Sequence, residues 1–361
     1  GAGNTGVGAY ALRANTTGGN NTAVGYQALD QNTTAANNTA FGAGVLYANT
    51  TGTENTAIGQ SALATNITGS YNTAVGFQAL NTNTTGNNTA VGKQSQRITT
   101  TGASNTSMGM HSMYVNTTGA NNVAIGQDVL SSNTTAADNT AVGTAALAAN
   151  TTGYRNTVMG KSASLATTTG HNNVSVGYYA EASLTTGTYN TAIGTSALED
   201  ITTGDNNTGI GYYAGRSTSP SGSLTTEDNR ICLGNNSITN SYIKVDWTVT
   251  SDQRDKADIT NFTHGLTYVN QLRPVNFVWD DRSDYEDGIS DGSKKKSDVQ
   301  LGFLAQEVLA IETGLGINND AIVDTEDANL LKMTNAKLIP VLVNAIKELS
   351  AKNEALLARI I

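Results

Sequence analysis

The sequence predicts a mainly β protein: a trimeric β-solenoid or β-roll shaft of 17-residue repeats, followed by a smaller α+β domain ending in a helix. Three observations carry this expectation. A pentapeptide, Asn-Thr-Ala-Val-Gly in its commonest form, recurs thirteen times at almost constant spacing. The period is too short for a helical hairpin, and no 3.6-residue apolar periodicity runs through it. After about residue 225 the repeat stops and aromatic and charged residues become frequent.

The leading asparagines are Asn4, Asn21, Asn38, Asn55, Asn72, Asn88, Asn105, Asn122, Asn139, Asn156, Asn173, Asn190 and Asn207. The spacing is constant except at Asn88, which comes one position early after Asn72. Each unit holds a short strand such as Thr22-Ala23-Val24, closed by Gly25, then an apolar pair such as Ala28-Leu29. A polar turn such as Asn49-Thr50-Thr51-Gly52 completes it. Short strands between Asn/Gly turns fit one coil of a solenoid, and no coil buries a core without neighbours. At a strand spacing of about 4.8 Å, thirteen coils make a rod of roughly 60 Å.

The glycine after each strand predicts close packing or a positive φ. The stacked asparagines predict amide ladders that satisfy the turn backbone. The apolar residues are small and few, so three chains sharing an axis are expected to complete the core. Triplets such as Asn15-Thr16-Thr17 keep step with the repeat and read as structural, not as glycosylation sites. The pattern breaks around Lys93–Arg97 and Ser217–Ser221, which are candidate receptor-binding loops.

Charge narrows the possible partners. The chain carries a net charge of −9, against the Lys/Arg surplus that phosphate binding requires, so nucleic acid is not an expected partner. No apolar run approaches a bilayer span and no signal peptide is recognisable. The chain opens inside a repeat, so a preceding segment is expected. The single cysteine, Cys232, permits no intrachain disulfide and reads as a small buried apolar residue. His111, His171 and His264 lie far apart in sequence; no metal site and no cofactor is expected. Three segments are expected: 1–215 as shaft, 216–250 as connecting strands and 251–361 as a terminal domain.

In the last third, Arg230-Ile231-Cys232-Leu233 and Tyr242-Ile243-Lys244-Val245 read as strands joined by a turn at Gly234-Asn235-Asn236. Residues 280–297 are polar, with Lys294-Lys295-Lys296, and read as a mobile loop. Leu301–Val308 leads into a helix. At the C-terminus Ile339, Ile346, Asn353 and Ile360 occupy heptad position a, and Leu342, Leu349 and Leu356 position d. By peptide rules that pattern forms coiled coils, preferring two strands. The competing reading is an amphipathic helix packed on its own domain, starting near Pro340.

Four phrases carry a resemblance: Ser251-Asp252-Gln253-Arg254-Asp255-Lys256, Leu272-Arg273-Pro274-Val275-Asn276-Phe277, Gly302-Phe303-Leu304-Ala305-Gln306-Glu307-Val308 and Ala345-Ile346-Lys347-Glu348-Leu349. In this order they resemble the endosialidase-type intramolecular chaperone at the C-termini of phage tail spikes and fibres. The resemblance covers about residues 225–361. It implies a domain that trimerises, drives folding of the preceding shaft and then cuts itself off. Ser251 matches the nucleophile and Lys256 its partner, which places the scissile bond at Thr250–Ser251. Asp252 and Arg254 are expected to orient the segment or form salt bridges. The shaft units are similar to the head repeats of YadA-like trimeric adhesins, at Asn122-Val123-Ala124-Ile125-Gly126 for example, and to phage fibre shafts.

The chemistry is self-consistent, since a serine can attack an amide when a lysine of lowered pKa takes its proton. Spacing alone does not make the dyad. Five residues separate two side chains widely on a helix and put them on opposite faces of a strand, so a turn or another subunit must bring them together.

The function expected from these readings is a viral tail-fibre shaft with a self-processing chaperone. It is a single-turnover autoprotease without a separate substrate. Its partners would be two further copies, a cell-surface receptor (polysaccharide foremost) and other tail proteins. It would be assembled in the host cytoplasm and carried on the virion. A bacterial trimeric surface adhesin and a polysaccharide-degrading tailspike remain as alternatives. The first needs a β-barrel anchor where residues 300–361 read as helices. The second needs paired carboxylates, and residues 1–230 hold ten scattered acids.

Overall fold

A computed structural model describes residues 1–244, 248–317 and 321–360. The chain divides into two compact units, Gly1–Thr239 and Asn240–Ile361.

In the first unit the repeat becomes a β-solenoid with few variations. Fourteen three-residue strands, from β1 (Thr5–Val7) to β14 (Ile231–Leu233), form one parallel sheet in sequence order. Each residue pairs with its repeat equivalent, as Thr22 with Thr39, Ala23 with Ala40 and Val24 with Phe41. Side chains alternate across a strand, so the middle residue points in and its neighbours point out. Ala23, Ala40, Ala57 and Ala74 form one inner column. Ala28, Val45, Ala62 and Ala79 form the second, and Leu29, Leu46, Leu63 and Leu80 the third. All are fully buried.

The core is therefore closed inside a single chain. A 17-residue coil is so narrow that one leucine and two alanines fill its apolar part, and asparagine amides line the rest. Outside the coils the last residue of many strands, such as Phe41, Ile58 and Ile125, is a large apolar side chain left exposed by the single chain.

Those amides form the expected ladders. Asn21 Oδ1 accepts from the Asn38 backbone N–H at 3.0 Å, and Asn38 Nδ2 donates to the Gly52 carbonyl at 2.9 Å. The pattern repeats to Asn207. A second ladder runs beside it, where Asn32, Asn49 and Asn66 each donate to the asparagine one coil below at 2.7–3.1 Å, and Asn49 shares the Gly52 carbonyl with Asn38. The missing residue of the one short coil comes out of the turn between Asn83 and Asn88. The strand register, Thr73 with Thr89, is untouched.

The glycine after each strand is fixed by both of the anticipated causes. Gly109 has φ of +133°, and a Cβ there would lie 2.3 Å from the Gly126 carbonyl oxygen. Less expected are left-handed non-glycine residues in each coil, such as Gln27, Leu29 and Asn37 at φ of 57°, 50° and 60°. Each such residue costs about 1–2 kcal/mol in isolation. Stacking supplies the offset, since Leu29 N–H donates to the Val45 carbonyl at 3.1 Å while the side chain is fully buried.

Polar residues interrupt the core twice. Ser95, Gln96, Thr99, Ser107 and Ser112 separate an apolar cluster ending at Ala90 from one beginning at Met113. Higher up, Ser164, Ser175 and Glu181 are buried together.

The solenoid runs beyond the last recognisable repeat. The hairpin expected at 230–245 does not form. Instead Ile231–Leu233 joins β13 (Thr208–Ile210) in parallel, with Cys232 opposite Gly209 and buried against the core as anticipated. The final coil is longer, and Ser217–Ser221 belongs to its extra length. Coil-to-coil bonds resume at Thr202 N–H to Thr225 O, 2.7 Å. Residues 242–244 form no strand, and Val245 lies outside the described residues.

The second unit is small and α+β. It comprises α1 (Leu266–Val269), an antiparallel pair β15 (Val275–Phe277) and β16 (Gln300–Gly302), and α2 (Ala305–Gly314). A second pair, β17 (Val323–Asp324) and β18 (Lys332–Met333), precedes α3 (Leu338–Leu357). Tyr268, Val308, Ile311, Ile322, Val323, Leu338 and Val341 form its core. The segment 280–297 is internally tied: Asp280 accepts from Tyr285 Oη at 2.5 Å and from Gly292 N–H at 3.1 Å.

The C-terminal helix packs on its own unit through one face and leaves another exposed. Leu338, Val341 and Ala345 of α3 are buried within the unit. The heptad stripe faces away, with Ile339 60%, Ile346 67%, Leu349 49% and Leu356 56% exposed. Among the described residues no helix is long and apolar enough to cross a membrane.

Candidate functional site

Ser251 and Lys256 are brought together by the turn that the spacing demanded. Residues Gln253–Asp255 form a single 3-10 turn. Asp252 caps it by accepting from Arg254 N–H at 2.9 Å, and Lys256 N–H closes it on the Gln253 carbonyl at 3.2 Å. The chain is thereby folded back, and Lys256 Nζ lies 2.6 Å from Ser251 Oγ and 3.3 Å from the Ser251 carbonyl. The first distance is that of a direct hydrogen bond, the contact a nucleophile and its base require.

Asp252 and Arg254 lie beside the pair, not in it. The Arg254 guanidinium grips the Asp252 carboxylate at 2.6 Å. That hydrogen bond holds the Asp252 carboxyl below its usual range and raises Arg254. Both residues fasten the turn. All four side chains are exposed or partly so, and so is Thr250, which precedes the nucleophile.

The other phrases singled out in the sequence meet each other in space. β15 and β16 pair Val275 with Gly302 and Phe277 with Gln300. Arg273 reaches across to Glu307 in a two-pronged ion pair, its Nε to Oε2 bond being 3.1 Å. Leu-Arg-Pro-Val-x-Phe and Gly-Phe-Leu-Ala-Gln-Glu-Val are therefore two halves of one clamp. Pro274 sets the extended entry to the first half.

Sequence reasoning missed Glu348. From α3 it accepts the backbone N–H groups of Gly265 (3.0 Å) and Leu266 (2.8 Å), capping α1. Gly265 is required there, because a Cβ would lie 2.4 Å from Glu348 Oε1 and 2.6 Å from Ala345 N. The only sequence signal was an acidic residue in the terminal phrase, with nothing to name its distant partners upstream. Glu348→Ala leaves two partly buried donors unpaired and is expected to destabilise this unit by about 1–3 kcal/mol. Tryptophan fluorescence on heating checks it, since both tryptophans follow residue 240. An unchanged transition would remove the capping role.

His111 sits 3.3 Å from Asp128, His171 stacks on Tyr154, and His264 lies edge-on to Phe262. Among the described residues no group of three or more metal-ligating side chains forms. No curated protein and no solved structure matches this chain. Residues 251–317, beginning at the serine that receives the lysine, match the family model described as chaperone of endosialidase.

Proposed function

We propose that the chain is the distal part of a trimeric viral tail fibre. The solenoid is its shaft, and the C-terminal unit is an intramolecular chaperone that aligns three chains and then cuts itself free between Thr250 and Ser251. The observation that carries this reading is the 2.6 Å contact between Lys256 Nζ and Ser251 Oγ at the first residue of the chaperone-family match. The outward heptad stripe of α3 supports assembly, because a row of large apolar side chains at that spacing finds cover against copies of itself.

In this mechanism neutral Lys256 takes the Ser251 hydroxyl proton as Oγ attacks the Thr250 carbonyl carbon. The C–N bond to Ser251 breaks, the amine leaves with a proton, and an ester joins Thr250 to Oγ. Water then hydrolyses the ester, freeing the Thr250 carboxylate and restoring the hydroxyl. A lysine acts as a base when burial disfavours its charge. Ser251 and Lys256 are exposed in the single chain, so a neighbouring subunit would supply that burial and make cleavage follow assembly.

Denaturing electrophoresis with mass spectrometry tests this. Wild type is expected to give two fragments meeting at Thr250/Ser251, and Ser251→Ala a single full-length band that still assembles as a trimer by light scattering. A full-length wild-type band from trimeric material would overturn the cleavage. A monomer would overturn the fibre.

A further inference from the structure

One corner of the solenoid carries a feature absent from the repeat consensus. The residues following the strand glycine stack in columns, tied by backbone bonds from Tyr179 N to Lys161 O, Ser196 N to Tyr178 O and Tyr213 N to Thr195 O at 2.8–3.2 Å. Tyr178, Thr195 and Tyr212 therefore follow one another along the axis, with Tyr179, Ser196 and Tyr213 beside them. The two Gly-Tyr-Tyr-Ala sequences, 177–180 and 211–214, lie two coils apart, and Gly-Thr-Ser-Ala occupies the coil between. The result is two aromatic pairs two strand spacings, about 10 Å, apart. Tyr178 meets Tyr179 edge-on at 4.4 Å, and Tyr212 stacks on Tyr213 at 3.9 Å. Thr195 is exposed in the coil between them.

We propose that this trough binds a neutral oligosaccharide. Aromatic rings and carbon atoms meet at about 3.5–4.0 Å, so walls about 10 Å apart admit one puckered sugar ring and little more. A pyranose offers apolar C–H faces to such walls and hydroxyls to what surrounds them. Tyr178 and Tyr212 are 47% and 54% exposed, which leaves both rings open to a ligand. The second pair is braced from below: Arg216 lies over the Tyr213 ring at 4.8 Å and is held by Glu199 at 2.8 Å and Asp200 at 3.5 Å. Two carboxylates against Arg216 and Lys161 leave this corner without net positive charge, so it does not favour an acidic polymer. Lys161 lies over Tyr178 at 6.0 Å, at the edge of the trough. The site lies away from Lys93–Arg97 and next to, not within, Ser217–Ser221. It rests on the shaft reading of the proposed function, to which it adds a ligand, and not on cleavage.

The test uses the full chain and biolayer interferometry against immobilised dextran, mannan, laminarin and polygalacturonate. Binding to at least one of the three neutral polymers is expected. Tyr178→Ala with Tyr212→Ala should weaken it about tenfold or more, as loss of aromatic anchors does. Thr195→Trp should block it by filling the space between the pairs, with an unchanged circular dichroism spectrum. Tyr26→Ala, at the same coil position without a second pair, should bind as wild type. No binding to any neutral polymer, binding to polygalacturonate alone, or binding that survives both trough variants would overturn the proposal. Light scattering on the same samples reports assembly separately, so a failed fibre and a failed site give different results.

Discussion

Replacing Asn105 with alanine is expected to be among the most damaging single changes in the solenoid, at about 2–4 kcal/mol. The side chain is fully buried and makes four bonds beyond its own backbone. Its Oδ1 accepts from Asn122 N–H at 2.9 Å and from Asn122 Nδ2 at 3.1 Å. Its Nδ2 donates to the Gly119 carbonyl at 2.8 Å and to Asn88 Oδ1 at 3.3 Å. Alanine leaves the Asn122 N–H without a partner where no water reaches, at about 1–3 kcal/mol. It also takes from the Gly119 carbonyl one of its two donors, Asn116 Nδ2 at 2.8 Å being the other. In a stack the damage is shared by two interfaces, because each coil is stabilised only by its neighbours. Thr118→Ala, an exposed change one turn away, should fall within about 0.5 kcal/mol of wild type. Urea titration followed by circular dichroism measures both. A loss below about 1 kcal/mol for Asn105→Ala would mean that the ladder is decoration.

The same ladder explains why the shaft can be read from its sequence. In a stacked coil every residue meets its own repeat equivalent, so the period gives the pairing partners directly. Thr22, Ala23 and Val24 pair with Thr39, Ala40 and Phe41 because they lie one repeat apart. The cross-section of the coil is not legible in the same way. Whether one leucine and two alanines fill it depends on left-handed turns at residues such as Gln27 and Leu29, for which the side chains themselves give no signal. Composition alone therefore points such a small core toward a three-chain axis. Ile231–Leu233 escapes recognition as a solenoid strand for a related reason. It follows Thr208–Ile210 by more than one repeat length, and a strand out of period carries no mark of its partner.

The candidate site divides in the same way. The Ser251–Lys256 contact depends on a local turn, and Asp252 just before Arg254 is a readable cap signal for it. The Arg273–Glu307 clamp and the Glu348 cap join residues far apart in the chain. Their residue types are visible, but the pairing requires the fold. The Gly-Tyr-Tyr-Ala doublet is visible in the aligned repeats, and only the stacking of coils turns it into a trough.

Raising the pH is expected to weaken the solenoid through Glu181, which occupies the inner column held by leucine at Leu147 and Leu198. It is fully buried. Burial pushes its carboxyl up to about 8 from an ordinary 4.5, and the hydrogen bond donated by Ser175 opposes the shift only in part. Ser164 Oγ lies 2.6 Å from Ser175 Oγ, so the carboxyl ends a short buried chain of hydroxyls, with its Oε1 unpaired. The folded chain keeps a proton there that the unfolded chain gives up above about 4.5. The favourable contribution is therefore complete below that pH and lost progressively as pH rises through about 8. At about 1.4 kcal/mol per unit the loss comes to roughly 4–5 kcal/mol by about pH 9. Glu181→Gln keeps the size and an acceptor for Ser175 but has no proton to lose. The difference in unfolding midpoint between wild type and Glu181→Gln should then be small at pH 5 and grow steadily to pH 9, with the variant the more stable. Comparing the two chains cancels every other titrating group. Parallel pH profiles would mean that Glu181 reaches solvent or an unseen cation, and the closed core described here would have to open at that coil.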